Sequence, residues 1–233
     1  MLAGCEAIDD FAPFGVQAFV TGRATGSFNT SVAAPVGEVM GRWYALVDDL
    51  AATAPRFASA RQVHGDRVVV HRPGWDGWLR VGAADGHVAP ERGTALAITI
   101  ADCVPIFIAH PSGAVALLHS GWRGTAAGML DHGIEALAGC GLATRDLALH
   151  LGPAICGSCY EVSPDVYRQL TGTSVSHPTC VDLRALLAAR AEALGVRQIT
   201  TSRYCTRCDN DRFYSHRAGD KGRQVAVIVG CKL

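Results

Sequence analysis

Three residues of the chain combine the side-chain types that a zinc ion prefers. His64, Cys103 and His119 offer two imidazoles and one thiol. Catalytic zinc sites use three such protein ligands and keep one position open for water or substrate. Bound zinc lowers the pKa of that water to roughly 7 and holds a cysteine ligand as thiolate. We therefore interpret these residues as a candidate catalytic zinc site, with Asp102 and Asp66 orienting a ligand or carrying a proton.

The same side chains allow two other interpretations. A cysteine that closes a buried strand often serves only as a small core residue, since a free thiol packs as an apolar group. Alternatively, Cys103 is a nucleophile without metal, with His119 or His64 as its base and Asp102 as a helper. The sequence does not separate the cysteine-hydrolase hypothesis from the zinc hypothesis, because both require the Cys103 thiolate.

Two arginines are candidate anion ligands. Arg123 lies in the glycine-flanked segment 121–124, just before an alanine-rich stretch that we predict to be helical. Free N–H groups and the helix dipole favour an anion at such a position, and a guanidinium can clamp phosphate or carboxylate there. Arg23 lies in the polar, glycine-punctuated segment 21–29, which has the composition of an anion-holding loop. The alternatives are a salt-bridged surface arginine and a solvated turn.

A second candidate metal site consists of two Cys-x-x-Cys pairs, Cys156 with Cys159 and Cys205 with Cys208. Two such pairs are typical of a structural zinc site with four thiolate ligands. Here the segment between the pairs is far longer than the usual ~15–20 residues, and it contains a predicted helix and a predicted strand. The alternatives are four unrelated thiols or a redox dithiol, although neither pair opens a thioredoxin-like helix.

The elements that position these residues fit one mixed α/β domain spanning residues 1–233. Two short apolar runs, Ala95–Ile100 and Ala114–Leu118, predict buried strands that stop at candidate ligands, and we expect a turn at 110–113 to join them. Further strands are predicted at Val16–Val20, Val68–Val70, Leu147–Leu151, Val196–Thr200 and Gln224–Val229. Helices are predicted at 36–50, from Gly124 to about Ala138, from Ser163-Pro164 and at 182–194. Residues 71–82 are predicted to form an irregular surface loop.

Composition limits the classes of partner. The chain has 233 residues, of which 49% are hydrophobic and 18% charged, so it can bury a sizeable core. Its formal net charge is zero, which provides no field towards nucleic acid or anionic membrane, and no apolar run approaches the ~20 residues that span a bilayer. Nine cysteines without an export signal favour a reducing cytoplasm over a disulfide framework. We expect a cytoplasmic monomer with no nucleic-acid or membrane partner.

Several motifs resemble one known family. In chain order they are Gln62-Val63-His64-Gly65, Ala101-Asp102-Cys103-Val104-Pro105, His119-Ser120-Gly121-Trp122-Arg123-Gly124, Gly152-Pro153-Ala154-Ile155, Cys159-Tyr160-Glu161-Val162, Cys205-Thr206, Phe213-Tyr214-Ser215-His216-Arg217 and Gly222-Arg223. Together they span about residues 15–230 and resemble the YfiH/YlmD family, also called the multicopper polyphenol oxidase or laccase-domain family, to which the human protein FAMIN is related. The tandem of ADC-x-P and H-x-GWRG is highly specific.

The resemblance implies an α+β fold, an α/β sandwich of mixed sheets flanked by helices that is related to cytotoxic-necrotizing-factor-type cysteine hydrolases. It implies a purine nucleoside phosphorylase that cleaves adenosine, inosine and methylthioadenosine with phosphate, with adenosine deamination in some members. The family's metal ligands match His64, Cys103 and His119, so we expect zinc there, with copper as the alternative metal. We expect the catalytic, substrate-binding and phosphate-binding residues to be Cys103, His64, His119, Asp102, Arg23, Asn29 and Arg123.

Other members of the family are described as copper-dependent phenol oxidases or as hydrolases that edit a peptidoglycan precursor, so a cysteine or zinc amidohydrolase is the alternative function. A multicopper oxidase needs about ten clustered histidines, and nine scattered ones leave only a mononuclear copper variant. A fourth hypothesis is a non-catalytic protein with structural zinc. The chain also departs from the family pattern, with Thr25 in place of a glycine, a shorter loop after it, Ser120 in place of alanine, His216 in place of an aromatic residue, and two additional cysteines, Cys156 and Cys208.

Overall fold

The computed structural model describes residues 4–232, so residues 1–3 and 233 of the expected domain lie outside the described part. The strands are β1 (Glu6–Ala7), β2 (Val16–Val20), β3 (Arg56–Arg61), β4 (Val68–Val70), β5 (Gly77–Ala83), β6 (Gly86–Ala89), β7 (Thr94–Ile100), β8 (Val104–Ala109), β9 (Val115–Ser120), β10 (Ala148–Leu151), β11 (Glu161–Val162), β12 (Thr179–Cys180), β13 (Gln198–Thr201) and β14 (Gln224–Gly230). The α-helices are α1 (Val36–Leu50), α2 (Trp122–Ala126), α3 (Met129–Ala138), α4 (Pro164–Thr171) and α5 (Leu183–Ala193).

Two six-stranded sheets, each with parallel and antiparallel neighbours, make up the body of the domain. The first sheet has the order β1-β2-β14-β7-β3-β5, and the second has the order β13-β10-β8-β9-β6-β4. Strand β3 runs parallel to β5 and β7, whereas β14 runs antiparallel to β2 and β7. A small antiparallel pair, β11 with β12, lies apart from both sheets. The expected α+β domain of mixed sheets flanked by helices is therefore confirmed.

The sheets pack face to face, and helices cover their outer faces. Alternate residues of β7 point to opposite faces: Ala97 packs in the cluster that includes Trp43 of α1, whereas Ile98 packs in the cluster that includes Phe107 of the second sheet. Helices α3 and α5 cover the other face of the second sheet, where Leu130 and other side chains are buried. Burial of a large apolar side chain stabilises the fold by about 1.5–3 kcal/mol. Because both faces of the central strands are buried, their sequences read as continuous apolar runs.

The chain crosses from the first sheet to the second immediately after β7. Asp102 adopts φ of 81° at this crossing, which turns the chain sharply. The prediction that a turn at 110–113 joins the two apolar runs is wrong, since that turn joins β8 to β9 and β7 lies in the other sheet. Strand β8 is a fully buried apolar run like β7, but it has no counterpart among the predictions, since Pro105 near its start weakens the strand signal.

Other elements also differ from expectation. Residues 71–82 are not wholly irregular, because β5 begins at Gly77; it is an edge strand with mostly exposed side chains, so its sequence lacks a buried-strand pattern. The helix expected from Gly124 to Ala138 is interrupted at Gly128, where φ of 83° ends one helix and begins another. Strands β1, β3, β6, β11 and β12 have no counterpart among the predictions.

The helices predicted near 36, 163 and 182 are confirmed. Ser163 caps α4 by accepting a hydrogen bond from the backbone of Val166, and Pro164 occupies the first turn. Asp182 caps α5 by accepting from the backbone of residues 184 and 185. No helix among residues 4–232 combines the length and apolar character needed to cross a bilayer.

Candidate functional site

Three segments meet at one edge of the interface between the sheets and bring the predicted metal ligands together. His64 follows β3, Cys103 lies between β7 and β8, and His119 is in β9. Their ligand atoms all lie within 4.8 Å of one another, and the two imidazole rings are 4.9 Å apart between centroids. His119 is buried and His64 is exposed, so the cluster joins the core to an open cleft. The cleft has a volume of about 700 Å³, within the range of small-molecule sites.

The buried carboxylate of Asp85 holds both histidines in place. Its oxygens accept hydrogen bonds from the backbone N–H groups of residues 63, 64 and 65 at 2.9–3.0 Å, which fixes the tight turn of His64 at φ of 60°. Its Oδ1 atom also lies 2.8 Å from Nδ1 of His119. A carboxylate only accepts, so Nδ1 carries the proton and Nε2 remains free to bind a ligand.

The three groups also alter one another's protonation. Burial alone would raise the pKa of the Cys103 thiol, but His119 and His64 outweigh burial and bring that pKa to about 6. Burial alone would lower the pKa of His119, but the Cys103 thiolate and Asp85 raise it to about 9. The pKa of Asp85 lies below its usual value, because its hydrogen bonds and the His119 charge outweigh burial. The cluster therefore favours a thiolate at neutral pH.

The glycine that precedes α2 leaves room beside the thiolate. A Cβ atom on Gly121 would lie 2.7 Å from Sγ of Cys103 and 3.7 Å from the His64 ring. Its φ of −85° is open to any residue, so the glycine is required for space and not for conformation. Two imidazoles, one thiolate and this clearance fit a zinc ion with three protein ligands and one open position.

Asp102 and Asp66 have other partners. Asp102 accepts hydrogen bonds from Oγ1 of Thr206 and from the backbone N–H of Arg217, both at 2.6 Å, and so ties the C-terminal loops to the site. Asp66 lies 3.6 Å from His132, in a half-exposed pair. Asp85 is therefore the carboxylate that hydrogen-bonds directly to the cluster, and the bonds of Asp102 and Asp66 go to other groups.

The predicted anion ligands divide into two groups. Arg123 and Asn29 line the cleft. The Arg123 guanidinium lies over the Trp122 ring and has no carboxylate within ion-pair distance among residues 4–232. Arg23 is not part of the lining: its guanidinium binds Asp220 at 2.6 Å and two backbone carbonyls, which leaves only Nη1 for another acceptor.

Two residues of the site carried no predicted role. Asp85 precedes a glycine and reads as an ordinary turn residue, because its partners are remote along the chain. Tyr160 belongs to a quoted motif and lines the cleft beside the guanidinium of Arg217, 5.1 Å from its ring. Burial, with the charges of Cys103 and Asp102, raises the pKa of Tyr160 to about 12, so its hydroxyl remains a donor. His216 lines the same cleft.

The two Cys-x-x-Cys pairs also meet. Atoms Sγ of Cys156, Cys159, Cys205 and Cys208 all lie within 4.8 Å of one another, so these residues form a second cluster capable of holding a metal.

Comparisons with known proteins agree with the fold and the motifs. The chain is 34% identical over 176 residues to a purine nucleoside phosphorylase of Streptomyces griseus, covering 72% of this chain and 71% of that protein. It is 35% identical over 207 residues to a purine nucleoside phosphorylase of Deinococcus radiodurans, covering 83% and 77%. The crystal structure of YlmD from Geobacillus stearothermophilus matches with a TM-score of 0.85 and 29% identity, covering 93% of each chain.

The family described as multi-copper polyphenol oxidoreductase laccase matches residues 21–231, nearly the whole chain. The resemblance drawn from the motifs is thereby confirmed. On the fold, the motifs and the relatives together, this chain belongs to the YfiH/YlmD-like family of laccase-domain proteins.

Proposed function

We propose that this chain is a zinc-dependent purine nucleoside phosphorylase with its centre at His64, Cys103 and His119. The observation that carries the proposal is the arrangement of three converging metal ligands and an unpaired arginine, Arg123, in one cleft. The names of the relatives supply the reaction, and the cleft supplies the groups that the reaction needs.

Phosphorolysis makes two demands on the chain. A phosphate oxygen forms a bond to C1′ of the nucleoside while the bond from C1′ to the purine nitrogen breaks, and the purine leaves with the electron pair and takes up a proton. The enzyme must therefore hold an anion against the sugar and stabilise the charge that develops on the base.

Arg123 is the residue that we assign to the phosphate. Its guanidinium is exposed to the cleft, and it can form charge-assisted hydrogen bonds that orient the nucleophile. Arg217 and Arg223 add positive charge to the same cleft. Asn29 lies on the same lining, whereas Arg23 would act through its one remaining Nη1 group or by holding Asp220.

At the centre, His64, Cys103 and His119 would hold the metal, and Asp85 would keep the His119 ring in position. When bound there, zinc would supply Lewis acidity to an oxygen of substrate or water. The protonated Tyr160 hydroxyl provides a hydrogen-bond donor inside the cleft. Asp102 would hold the wall of the cleft through its hydrogen bond with Thr206. We also propose that Asp102 takes part in proton transfer.

Aromatic side chains offer a place for the purine. Trp78, Trp43 and Phe28 line a part of the cleft beside Ser59, whose hydroxyl accepts from the Trp78 indole at 2.8 Å. Trp78 is partly exposed, and aromatic faces stack on purine rings at a gain of about 1–3 kcal/mol per base. We propose that this part of the cleft selects purine nucleosides such as adenosine, inosine and methylthioadenosine.

The proposal is tested by supplying each of these nucleosides to the zinc-loaded protein with and without phosphate. We expect release of free purine only when phosphate is present. The Cys103→Ala variant should lose this activity, and Cys140→Ala, which changes a thiol outside the cleft lining, should keep it. No purine release by the wild type, or release that does not depend on phosphate, would contradict the proposal. Ammonia release from adenosine would add the deaminase activity.

A second candidate function has its own observation. Cys103, His119 and Asp85 lie next to one another: Sγ of Cys103 is within 4.8 Å of a His119 ring nitrogen, and Nδ1 of His119 is 2.8 Å from Oδ1 of Asp85. This is the order of nucleophile, base and orienting acid in cysteine hydrolases. We propose hydrolysis of an amide bond in a cell-wall precursor as the alternative. Amide cleavage by chelator-treated protein, blocked by alkylation of Cys103, would favour it over phosphorolysis.

We propose that the protein acts as a cytoplasmic monomer. All nine cysteines are free thiols in the structure, which suits a reducing compartment. Light scattering on purified protein would give about 24.5 kDa for a monomer and twice that mass for a dimer. Copper is the alternative metal, and copper content together with phenol oxidation would favour it over zinc.

A further inference from the structure

The four cysteines of the two Cys-x-x-Cys pairs come from loops that are remote in sequence. Cys159 and Cys208 are separated by 49 positions, yet their sulfur atoms are 3.4 Å apart. All four sulfurs lie within 4.8 Å of one another. Four sulfurs at tetrahedral positions about 2.3 Å from a zinc ion lie about 3.8 Å from each other, which falls inside this range.

The backbone holds the two loops together without any metal. Residue 154 forms a parallel bridge with Cys205, and the backbone N–H of Thr206 donates to the carbonyl of Ala154 at 3.1 Å. The backbone N–H groups of Cys156 and Cys208 both point at Sγ of Cys205, at 3.2 and 3.4 Å. The two loops therefore hold the four sulfur atoms, which we call the sulfur cage, close together before any cation binds.

We propose that Cys156, Cys159, Cys205 and Cys208 bind a structural zinc ion, separate from the centre at Cys103. Four thiolates at tetrahedral spacing select zinc or an iron–sulfur centre among common metals, and they leave no position for substrate. No disulfide joins these cysteines: all four are free thiols, and the 3.4 Å between Sγ of Cys159 and Sγ of Cys208 exceeds the roughly 2.05 Å of a bond. Because Cys208 is exposed, the ion can enter from solvent.

This zinc would fasten one wall of the cleft. The loop of the first pair leads directly into Tyr160, which lines the cleft. The loop of the second pair contains Thr206, whose hydroxyl holds Asp102 beside the first metal centre. One ion would therefore fix both loops, and closing so long a segment removes much conformational freedom from the unfolded chain.

The test is the metal content of the full-length protein purified under reducing conditions. The wild type should contain two zinc ions per chain, and both Cys208→Ser and Cys103→Ala should contain one. Cys180→Ser is the matched control, because Cys180 is an exposed thiol outside the cage, and it should retain two. Cobalt-loaded Cys103→Ala should show the intense sulfur-to-metal absorption of a tetrathiolate site.

The proposal is overturned if Cys103→Ala contains no zinc, if Cys208→Ser binds as much zinc as the wild type, or if the cage contains iron. A Cys159–Cys208 disulfide found by mass spectrometry in freshly reduced protein would also overturn it. If Cys208→Ser does not fold, the zinc content of Cys103→Ala is by itself the test of the proposal. The inference does not depend on the proposed function: if Cys103 binds no metal, both the wild type and Cys103→Ala should still contain one zinc.

Discussion

Asp85 links the two histidines of the centre through a single carboxylate, with Oδ1 2.8 Å from Nδ1 of His119 and 2.9 Å from the backbone nitrogen of His64. The side chain is fully buried, and its hydrogen bonds reach both sheets. The relative position of the two histidines therefore depends on a residue outside the three-residue cluster.

Replacing Asp85 by Asn should disturb the centre strongly. The amide keeps the shape but directs N–H donors at other donors and no longer stabilises the proton on Nδ1 of His119. We expect zinc affinity and phosphorolysis to fall about 10–100-fold, as measured by chelator competition and initial rates. Asp66→Asn is the control, because Asp66 pairs with His132 outside the cluster, and it should change neither quantity by more than about twofold. Equal effects of the two variants would show that Asp85 has no special role.

Gly121→Ala tests the clearance beside the thiolate. A methyl group would lie 2.7 Å from Sγ of Cys103, so we expect loss of zinc binding while the fold is kept. Gly41→Ala is the matched control, because a Cβ there meets nothing within 4 Å and alanine favours helix α1 by about 1 kcal/mol. Zinc content and circular dichroism of both variants give the answer. A zinc-replete Gly121→Ala protein would contradict the arrangement.

Arg123→Ala tests the phosphate assignment. Loss of charge-assisted hydrogen bonds worth about 1.5–3 kcal/mol should raise the KM for phosphate roughly 10–100-fold. The KM for the nucleoside should change much less, and zinc content should stay constant. Arg145→Ala, which removes an exposed arginine outside the cleft lining, should leave the phosphate KM unchanged. An unchanged phosphate KM in Arg123→Ala would contradict the assignment and would point to other arginines of the cleft as the phosphate ligands.

The buried pair His71 and His87 predicts acid sensitivity. Their ring nitrogens Nε2 and Nδ1 are 2.9 Å apart; burial lowers the pKa of His71 to about 4, and burial with the nearby His71 lowers that of His87 to about 3. The unfolded chain, with pKa values near 6.5, binds protons first as the pH falls, so the folded state loses stability below that pH. We expect each histidine to cost about 2 kcal/mol between pH 7 and pH 5.

Urea unfolding at pH 7, 6 and 5 measures the slope, that is, how steeply the free energy of unfolding falls as the pH falls. His87→Leu should reduce the loss of stability between pH 7 and pH 5 by about half, whatever its effect at pH 7. His177→Gln, which changes an exposed histidine, should keep the wild-type slope. Identical slopes in all three proteins would contradict the prediction.

The sequence predicts the three clustered residues better than it predicts the residues that hold them in place. His64, Cys103 and His119, which the structure brings within 4.8 Å of one another, can be singled out from side-chain chemistry and motifs, because a metal site restricts the residue types. Asp85 cannot, since its role depends on a contact between β9 and the loop after β3, and neither local spacing nor composition encodes that contact. The same holds for Asp102, which is adjacent to a ligand but bonded to loops near the C-terminus.

The elements of the fold likewise divide into those that the sequence predicts and those that it does not. Helices α4 and α5 carry local caps at Ser163 and Asp182, so they are predictable from short windows. Strand β5 lies at an exposed sheet edge, so it has no buried-strand pattern, and β8 contains Pro105, which weakens the strand signal of its apolar run. The four-cysteine cage is predictable only in part. The two Cys-x-x-Cys pairs can be recognised in the sequence, but the long segment between them gives no indication that they meet in space.

The most direct measurement of the central claim is the formation of sugar 1-phosphate from inosine and inorganic phosphate, followed by phosphorus NMR. Zinc-loaded wild type should form sugar 1-phosphate and hypoxanthine in equal amounts, and zinc-loaded Cys103→Ala should form neither above background. Free ribose as the product, or equal rates for the two proteins, would contradict a phosphorylase centred on His64, Cys103 and His119.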